Sequence, residues 1–120
     1  SMTPTLVEKD NKLWMTLGTP GGSTIITSVL QTILNVYEFN MSMQQAVDAP
    51  RFHHQWLPDV VKVEATSFDD KTIKELENKG YVIDYKNALS IGKVDAILVL
   101  PDGSLEAGAD KRGDDTAVGF

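Results

Sequence analysis

The sequence predicts an α+β fold with largely antiparallel sheets. Segments with strand and helix patterns follow one another in the order β-β-α-α-β-α-β-β-β. This order lacks the regular βαβ alternation of a doubly wound parallel sheet. Polar or turn-forming residues separate the neighbouring strand-like runs at both ends of the chain, as expected for hairpins.

The first half of the chain is predicted to contain a hairpin and two helices. Residues 4–8 and 13–17 have strand patterns, and the second strand has apolar residues on both faces, which predicts that both faces are covered. Apolar residues at three- and four-residue steps predict a helix over residues 23–39 that is buried over much of its circumference. That stripe consists of Ile26, Val29, Leu30, Ile33, Leu34 and Tyr37.

A short helix over residues 42–48 is predicted next. Ser42 and Gln45 match a capping box, and the Ala49-Pro50 pair closes the helix. Residues 51–59 are expected to be irregular. The second half should then contain a helix that begins in residues 67–70 and ends at Gly80, and four strands at residues 60–64, 81–85, 95–100 and 104–109.

Composition narrows the classes of function. The 120 residues are expected to form a single domain or a fragment, residues 1–120. With 11 basic and 17 acidic residues, the net charge of −6 argues against nucleic acid or an anionic membrane as the main partner. The absence of cysteine excludes disulfides, zinc–thiolate sites and cysteine nucleophiles. No apolar run approaches the ~18 residues of a membrane helix.

The principal candidate site is the glycine turn, residues 18–23 (Gly-Thr-Pro-Gly-Gly-Ser), between a predicted strand and a predicted helix. Backbone N–H groups and the positive end of the helix dipole can converge at such a junction. The turn is not a Walker A loop or a dinucleotide-binding fingerprint. From spacing alone, it is either a structural turn or a site for a carboxylate, a phosphate or the oxyanion of acyl transfer.

Other polar residues are weaker candidates. His53 and His54 are adjacent and have no third ligand at helical spacing, so no metal site is predicted; one histidine is expected to pack beside aromatic residues and to bond a loop carbonyl. The aspartates at 110, 114 and 115 lack the spacing of a calcium loop and are interpreted as solvated or loop-capping. Ser1 could in principle be an N-terminal nucleophile.

Three segments, taken together, resemble the C-terminal part of γ-glutamyltranspeptidases. They are residues 1–5 (Ser-Met-Thr-Pro-Thr), the glycine turn, and residues 48–59 (Asp-Ala-Pro-Arg-Phe-His-His-Gln-Trp-Leu-Pro-Asp). Residues 114–120 also resemble the C-terminus of that family, with phenylalanine where tyrosine is more usual. The resemblance runs from end to end, and the segment at 48–59 is the most specific part of it.

The resemblance implies an N-terminal-nucleophile hydrolase with an αββα sandwich, made by autoprocessing of a precursor. In that family a threonine nucleophile cleaves the γ-glutamyl bond of glutathione or a similar donor, and passes the glutamyl group to water, an amino acid or a peptide. The family's oxyanion-hole glycines carry over onto Gly21 and Gly22. Ser1 matches the second serine of a substrate-binding Ser-Ser-Met motif, provided that it is native and not vector-derived.

The resemblance also implies what this chain lacks. The family's nucleophile lies in a Thr-Thr-His type motif upstream, and nothing here matches that motif; Thr3 and Thr5 belong to the serine motif. The chain is therefore expected to be roughly the last two-thirds of a small subunit, inactive alone. Its expected partners are the large subunit and the N-terminal part of the small subunit, with no cofactor and with a periplasmic or secreted location. The alternative is a non-catalytic interaction module derived from the same fold.

Overall fold

The computed structural model describes residues 2–86 and 90–119. The chain divides into two compact units: Ser1–Asp48 with Gly92–Phe120, and Ala49–Ile91. None of the described helices is long and apolar enough to cross a lipid bilayer. The elements are β1 (Thr5–Lys9), β2 (Lys12–Gly18), a 3₁₀ turn (Gly22–Thr24), α1 (Ile25–Tyr37), α2 (Met43–Asp48), β3 (Phe52–His53), β4 (Val61–Val63), α3 (Asp70–Asn78), β5 (Ile83–Asp84), β6 (Asp95–Val99) and β7 (Leu105–Gly108).

The first unit is built on a four-stranded sheet in the order β1-β2-β6-β7, and every pair is antiparallel. Side chains from β2 and β6 meet α1 and α2 on one face of this sheet. The prediction of an α+β fold with largely antiparallel sheets is therefore confirmed. The buried apolar cluster consists of Met15, Leu17, Val36, Met43, Ala46, Val47, Val94, Ala96 and Leu98.

The hairpin contains a β-bulge at Trp14. Val7 pairs with Met15, but the next residue of β1, Glu8, pairs with Leu13, so one extra residue stands on β2. A bulge changes the alternation of side chains along a strand. Met15 is consequently buried while its neighbour Trp14 also packs against the same cluster, with its ring edge-on to Tyr37. The apolar residues on β2 thus do not require that both faces of the strand be covered.

The prediction that α1 is buried over much of its circumference is wrong for this unit. Its buried residues are Ile25, Ser28, Thr32 and Val36. Ile26 and Leu30, from the predicted apolar stripe, are 77% and 53% exposed. Small hydroxyl residues can face the core because they bond within the helix; the Thr32 hydroxyl donates to the Ser28 carbonyl at 2.9 Å.

The helix boundaries follow local signals. Asn40, with a φ of +53°, lies just beyond the end of α1. The predicted capping box of α2 is confirmed: Ser42 N–H donates to Gln45 Oε1 at 3.0 Å, and Gln45 N–H donates to Ser42 Oγ at 3.1 Å. Asp69 caps α3 by accepting a hydrogen bond from Thr72 N–H at 2.7 Å. Hydrogen bonds from Thr72 lower the pKa of Asp69.

The second unit contains a three-stranded sheet in the order β3-β4-β5 together with α3. Strands β3 and β4 are antiparallel, whereas β4 and β5 are parallel and α3 lies between them in the sequence. The expectation that residues 51–59 are wholly irregular is wrong, because Phe52 and His53 pair with Val63 and Lys62. A two-residue strand is too short to show a period of two in the sequence.

The carboxylate of Glu64 ties together the two ends of the second unit. Its Oε2 accepts a hydrogen bond from Arg51 N–H at 2.9 Å, and its Oε1 accepts one from Ile91 N–H at 2.7 Å. The buried Arg51 side chain donates in turn from Nη1 to the Ile91 carbonyl at 2.8 Å. One side chain therefore satisfies backbone donors that are 40 residues apart in sequence.

We expect Glu64→Ala to lower the free energy of unfolding by about 2–4 kcal/mol, because two backbone N–H groups lose their acceptor. Urea-induced unfolding followed by circular dichroism measures this loss. Glu75→Ala is the matched control, since Glu75 lies on the exposed face of α3 and makes only a 3.9 Å ion pair with Lys71, worth less than about 1 kcal/mol. Equal losses in the two variants would contradict the role of Glu64.

Candidate functional site

The glycine turn joins the end of β2 to the start of α1, as the sequence predicts. Gly18, the last residue of β2, pairs with Asp95 at the start of β6. The 3₁₀ turn then leads directly into α1. No acidic residue occupies the first turn of α1, and no side chain caps its N-terminus. The positive end of the helix dipole is therefore not neutralised by the helix itself.

Two adjacent N–H groups are available at this turn. Gly21 has a φ of +140° and Gly22 a φ of +59°, and both residues are exposed. Within residues 2–86 and 90–119, neither glycine donates a hydrogen bond from its N–H group. Adjacent backbone donors at a helix N-terminus, without internal acceptors, are suited to binding an anion.

Within the glycine turn, the buried residue Thr19 makes three hydrogen bonds. Thr19 is 0% exposed, and its N–H donates to the carbonyl of Met2 at 2.9 Å. Its hydroxyl accepts a hydrogen bond from Lys93 N–H at 2.7 Å and donates to the Pro20 carbonyl at 2.7 Å. The residue next to Ser1 therefore contacts the glycine turn. Ser1 itself, a candidate substrate-binding residue, lies outside the described residues.

Two of the C-terminal aspartates are paired with cations. Asp110 is buried; its Oδ2 accepts from Val94 N–H at 2.8 Å, and its Oδ1 lies 2.9 Å from Nη1 of Arg112. Asp115 lies 3.0 Å from Lys93 Nζ, and its hydrogen bond and negative charge raise the pKa of Lys93. Asp110 thus caps the backbone of a loop, in agreement with the loop-capping interpretation.

The two histidines lie in the second unit and contact different partners. His53 is buried, and its Nε2 lies 2.8 Å from Oε1 of Gln55. Nε2 of His54 lies 2.9 Å from Oδ1 of Asp59, and its ring meets Tyr81 edge-on. The Nε2 atoms of both rings therefore face side-chain oxygens, those of Gln55 and Asp59. Within the described part of the chain, no three histidine or acidic side chains converge as metal ligands.

A groove of about 780 Å³ lies along the sheet of the first unit, beside Gly18. Thr16 and Ile97, which face each other across β2 and β6, contribute to its floor. They alternate with the buried Met15, Leu17, Ala96 and Leu98, so they belong to the sheet face that α1 and α2 do not cover. Residues 115–118 form one wall of the groove.

Comparison with known proteins places these features in a family. The family model for γ-glutamyltranspeptidase matches residues 1–120. The glutathione hydrolase proenzyme of Escherichia coli is 46% identical over 121 residues, covering 100% of this chain and 20% of that protein. The corresponding proenzyme of Pseudomonas aeruginosa is 40% identical over 116 residues, covering 94% of this chain and 20% of that protein.

Comparison with solved structures indicates the same family. A variant of the γ-glutamyltranspeptidase from Helicobacter pylori has a TM-score of 0.86 and 45% identity; the match covers 94% of this chain and 61% of that one. The fold is that of the N-terminal-nucleophile hydrolases. The chain belongs to the γ-glutamyltranspeptidase family, and it spans about a fifth of the length of the curated relatives that it matches.

The two glycines of the turn differ in how much a side chain would cost. A Cβ added at Gly21 would lie 2.5 Å from Thr24 Oγ1, whereas one added at Gly22 meets nothing within 4 Å. We expect Gly21→Ala to reduce the free energy of unfolding by about 3 kcal/mol and Gly22→Ala by about 1 kcal/mol. Urea titrations of both variants measure the difference, and an equal or reversed order would contradict this geometry.

Proposed function

We propose that this chain carries the oxyanion hole of a γ-glutamyltransferase or glutathione hydrolase. The complete protein cleaves the γ-glutamyl bond of glutathione or a similar donor, and transfers the glutamyl group to water, an amino acid or a peptide. One observation supports this above the others: the exposed N–H groups of Gly21 and Gly22 have no internal acceptor among the described residues.

The chemistry of acyl transfer calls for such a site. When a nucleophile attacks the γ-glutamyl carbonyl, the carbonyl oxygen acquires negative charge and the carbon becomes tetrahedral. Two backbone N–H groups donate to that oxygen, and the dipole of α1 adds a positive potential. The loss of one oxyanion donor typically costs about 2.7–4 kcal/mol of transition-state stabilisation, so the pair accounts for a large share of rate acceleration.

The nucleophile is proposed to lie outside this chain. The threonine hydroxyls at the turn are bonded to carbonyls: Thr19 to that of Pro20 and Thr24 to that of Gly21. Among the residues that the structure describes, neither is hydrogen-bonded to a histidine or a carboxylate that could act as its base. The catalytic threonine, the large subunit and the N-terminal part of the small subunit would complete the site. The proposal also includes a periplasmic or secreted location for the complete protein and no requirement for a cofactor.

A second candidate is a non-catalytic interaction module with the same fold. The exposed apolar stripe on α1 favours it, because Ile26, Leu30 and Tyr37 are 77%, 53% and 56% exposed. Such a surface suits a permanent partner. The two candidates differ in one measurable respect, since only the first requires γ-glutamyl turnover by the complete protein.

The purified 120-residue chain is expected to show no hydrolysis of a chromogenic γ-glutamyl anilide, because an oxyanion hole without a nucleophile cannot form the acyl intermediate. The complete protein that carries the chain, assayed in parallel, is expected to turn over the same anilide. Turnover by the isolated chain would overturn the assignment of the nucleophile to another segment. Absence of turnover by the complete protein would favour the interaction module.

In the complete protein, Gly22→Leu is expected to lower kcat about 10²-fold or more while KM changes little, because a bulky side chain at a φ of +59° turns or screens N–H groups that act on charge developing in the transition state. Gly22 is the more informative position, since a side chain there meets no neighbouring atom. Gly103→Leu is a matched control: that glycine also has a positive φ and open space, but lies in the turn between β6 and β7. An effect on KM alone would mean that the glycines only shape the substrate pocket.

A further inference from the structure

The two N–H groups of the proposed oxyanion hole belong to two consecutive peptide units. The Pro20–Gly21 unit carries the Gly21 N–H, and the Gly21–Gly22 unit carries the Gly22 N–H. A trans peptide is planar, and its C=O and N–H bonds point in opposite directions. Whatever holds the carbonyl of such a unit therefore fixes the direction of its N–H group. Glycine itself does not fix that direction, because its backbone is the least restricted.

The carbonyl of the first unit is held by Thr19. The Thr19 hydroxyl donates to Pro20 O at 2.7 Å. The same hydroxyl oxygen accepts from Lys93 N–H at 2.7 Å, so its proton is directed at Pro20. Thr19 is 0% exposed, and its own N–H is bonded to the Met2 carbonyl. Water therefore does not compete for the hydroxyl, and the threonine is fixed from three sides.

The carbonyl of the second unit is held in the same way by Thr24. The Thr24 hydroxyl donates to Gly21 O at 2.9 Å, and Thr24 N–H donates to the same oxygen at 3.2 Å. This second carbonyl thus has two donors, one of which belongs to the backbone and survives any side-chain substitution. The first carbonyl depends on a single hydroxyl among the described residues.

We propose that Thr19 and Thr24 are positioning residues, which orient the Gly21 and Gly22 N–H groups by holding the carbonyls of the same peptide units. The inference rests on the proposed oxyanion role of the glycines. A hydrogen bond to a peptide carbonyl also polarises the unit and strengthens its N–H as a donor. Because Pro20 O has one donor and Gly21 O has two, Thr19 contributes more than Thr24.

The test uses steady-state kinetics of the complete protein with a γ-glutamyl anilide. Thr19→Val removes the hydroxyl and nearly keeps the shape of the side chain, and we expect kcat to fall about tenfold with KM within about twofold. The fall is smaller than the ~10²–10³ of a lost donor because the N–H group remains but is less well directed. Thr19→Ser keeps the hydroxyl and is expected to restore most of kcat. Thr24→Val is expected to lower kcat about threefold, less than Thr19→Val.

Thr32→Val is the matched control. Thr32 is also 0% exposed, and its hydroxyl donates to a backbone carbonyl, that of Ser28 in α1. The substitution removes the same kind of bond, a hydroxyl donating to a backbone carbonyl, from the first compact unit of the chain. That bond lies within α1 and not in the glycine turn. We expect it to lower the thermal midpoint less than Thr19→Val, which also leaves Lys93 N–H without its acceptor, and to leave kcat within about twofold.

Each result bears on a different statement. The positioning role is overturned if Thr19→Val keeps kcat within twofold, if Thr32→Val loses as much, or if Thr19→Ser fails to restore activity. Should Thr19→Val not fold, Thr24→Val at its more accessible position decides the matter, and an unchanged kcat there overturns the proposal. If Gly22→Leu in the same assay leaves kcat unaffected, the oxyanion role itself fails. If Gly22→Leu lowers kcat and the threonine variants do not, only the positioning role fails.

Discussion

The antiparallel pairing of β2 with β6 is the constraint on which the glycine turn depends. The pair ends with Gly18 opposite Asp95. Beyond that point the two strands continue in opposite directions, so the residue after Gly18 lies beside those that precede Asp95. The hydrogen bond from Lys93 N–H to Thr19 Oγ1 extends the ladder by a side chain. Two segments 74 residues apart in sequence are thereby joined behind the turn.

Two carboxylates near Lys93 and Val94 are paired with cations, although the chain carries a net charge of −6. Asp110, which accepts from Val94 N–H, faces Arg112, and Asp115 faces the side chain of Lys93. The first turn of α1 contains no acidic residue. Pairing with a cation reduces the negative potential of these two carboxylates, whereas Oδ1 of Asp95, opposite Gly18, has no hydrogen-bond partner among the described residues.

Sequence reasoning succeeded where a local signal decides the structure. The capping box at Ser42, the end of α3 before Gly80 and the strand–turn–helix order around Gly21 each depend on residues close together in the chain. It failed where tertiary packing, and not the local sequence, decides which residues are buried and which are paired. The apolar stripe of α1 predicted the buried face only in part: Val29 and Ile33 pack against the core, but Ile26 and Leu30 are exposed, and Thr32, whose hydroxyl bonds within the helix, is buried. The partner of Thr19 could not be predicted, because no periodicity connects it with Lys93.

Membership of the γ-glutamyltranspeptidase family rests on the match over residues 1–120 and on the similarity of the fold. The glycine turn adds a physical meaning to that match. Under the proposed function, the turn separates the part of catalysis that stabilises charge from the part that forms bonds, with the covalent partner in another segment of the protein. Backbone donors suit this division, since an N–H group needs no general base and its donor character does not depend on pH.

The two hydrogen bonds that the Glu64 carboxylate accepts have a consequence for where the second unit can change in length. Because one carboxylate binds Arg51 N–H and Ile91 N–H, the chain enters and leaves the second unit at neighbouring points. Insertions or deletions between these residues can be absorbed without altering the spacing of the two ends. Exposed positions with open space around them, such as Gly80 after α3, are where such a change in length would disturb the least packing.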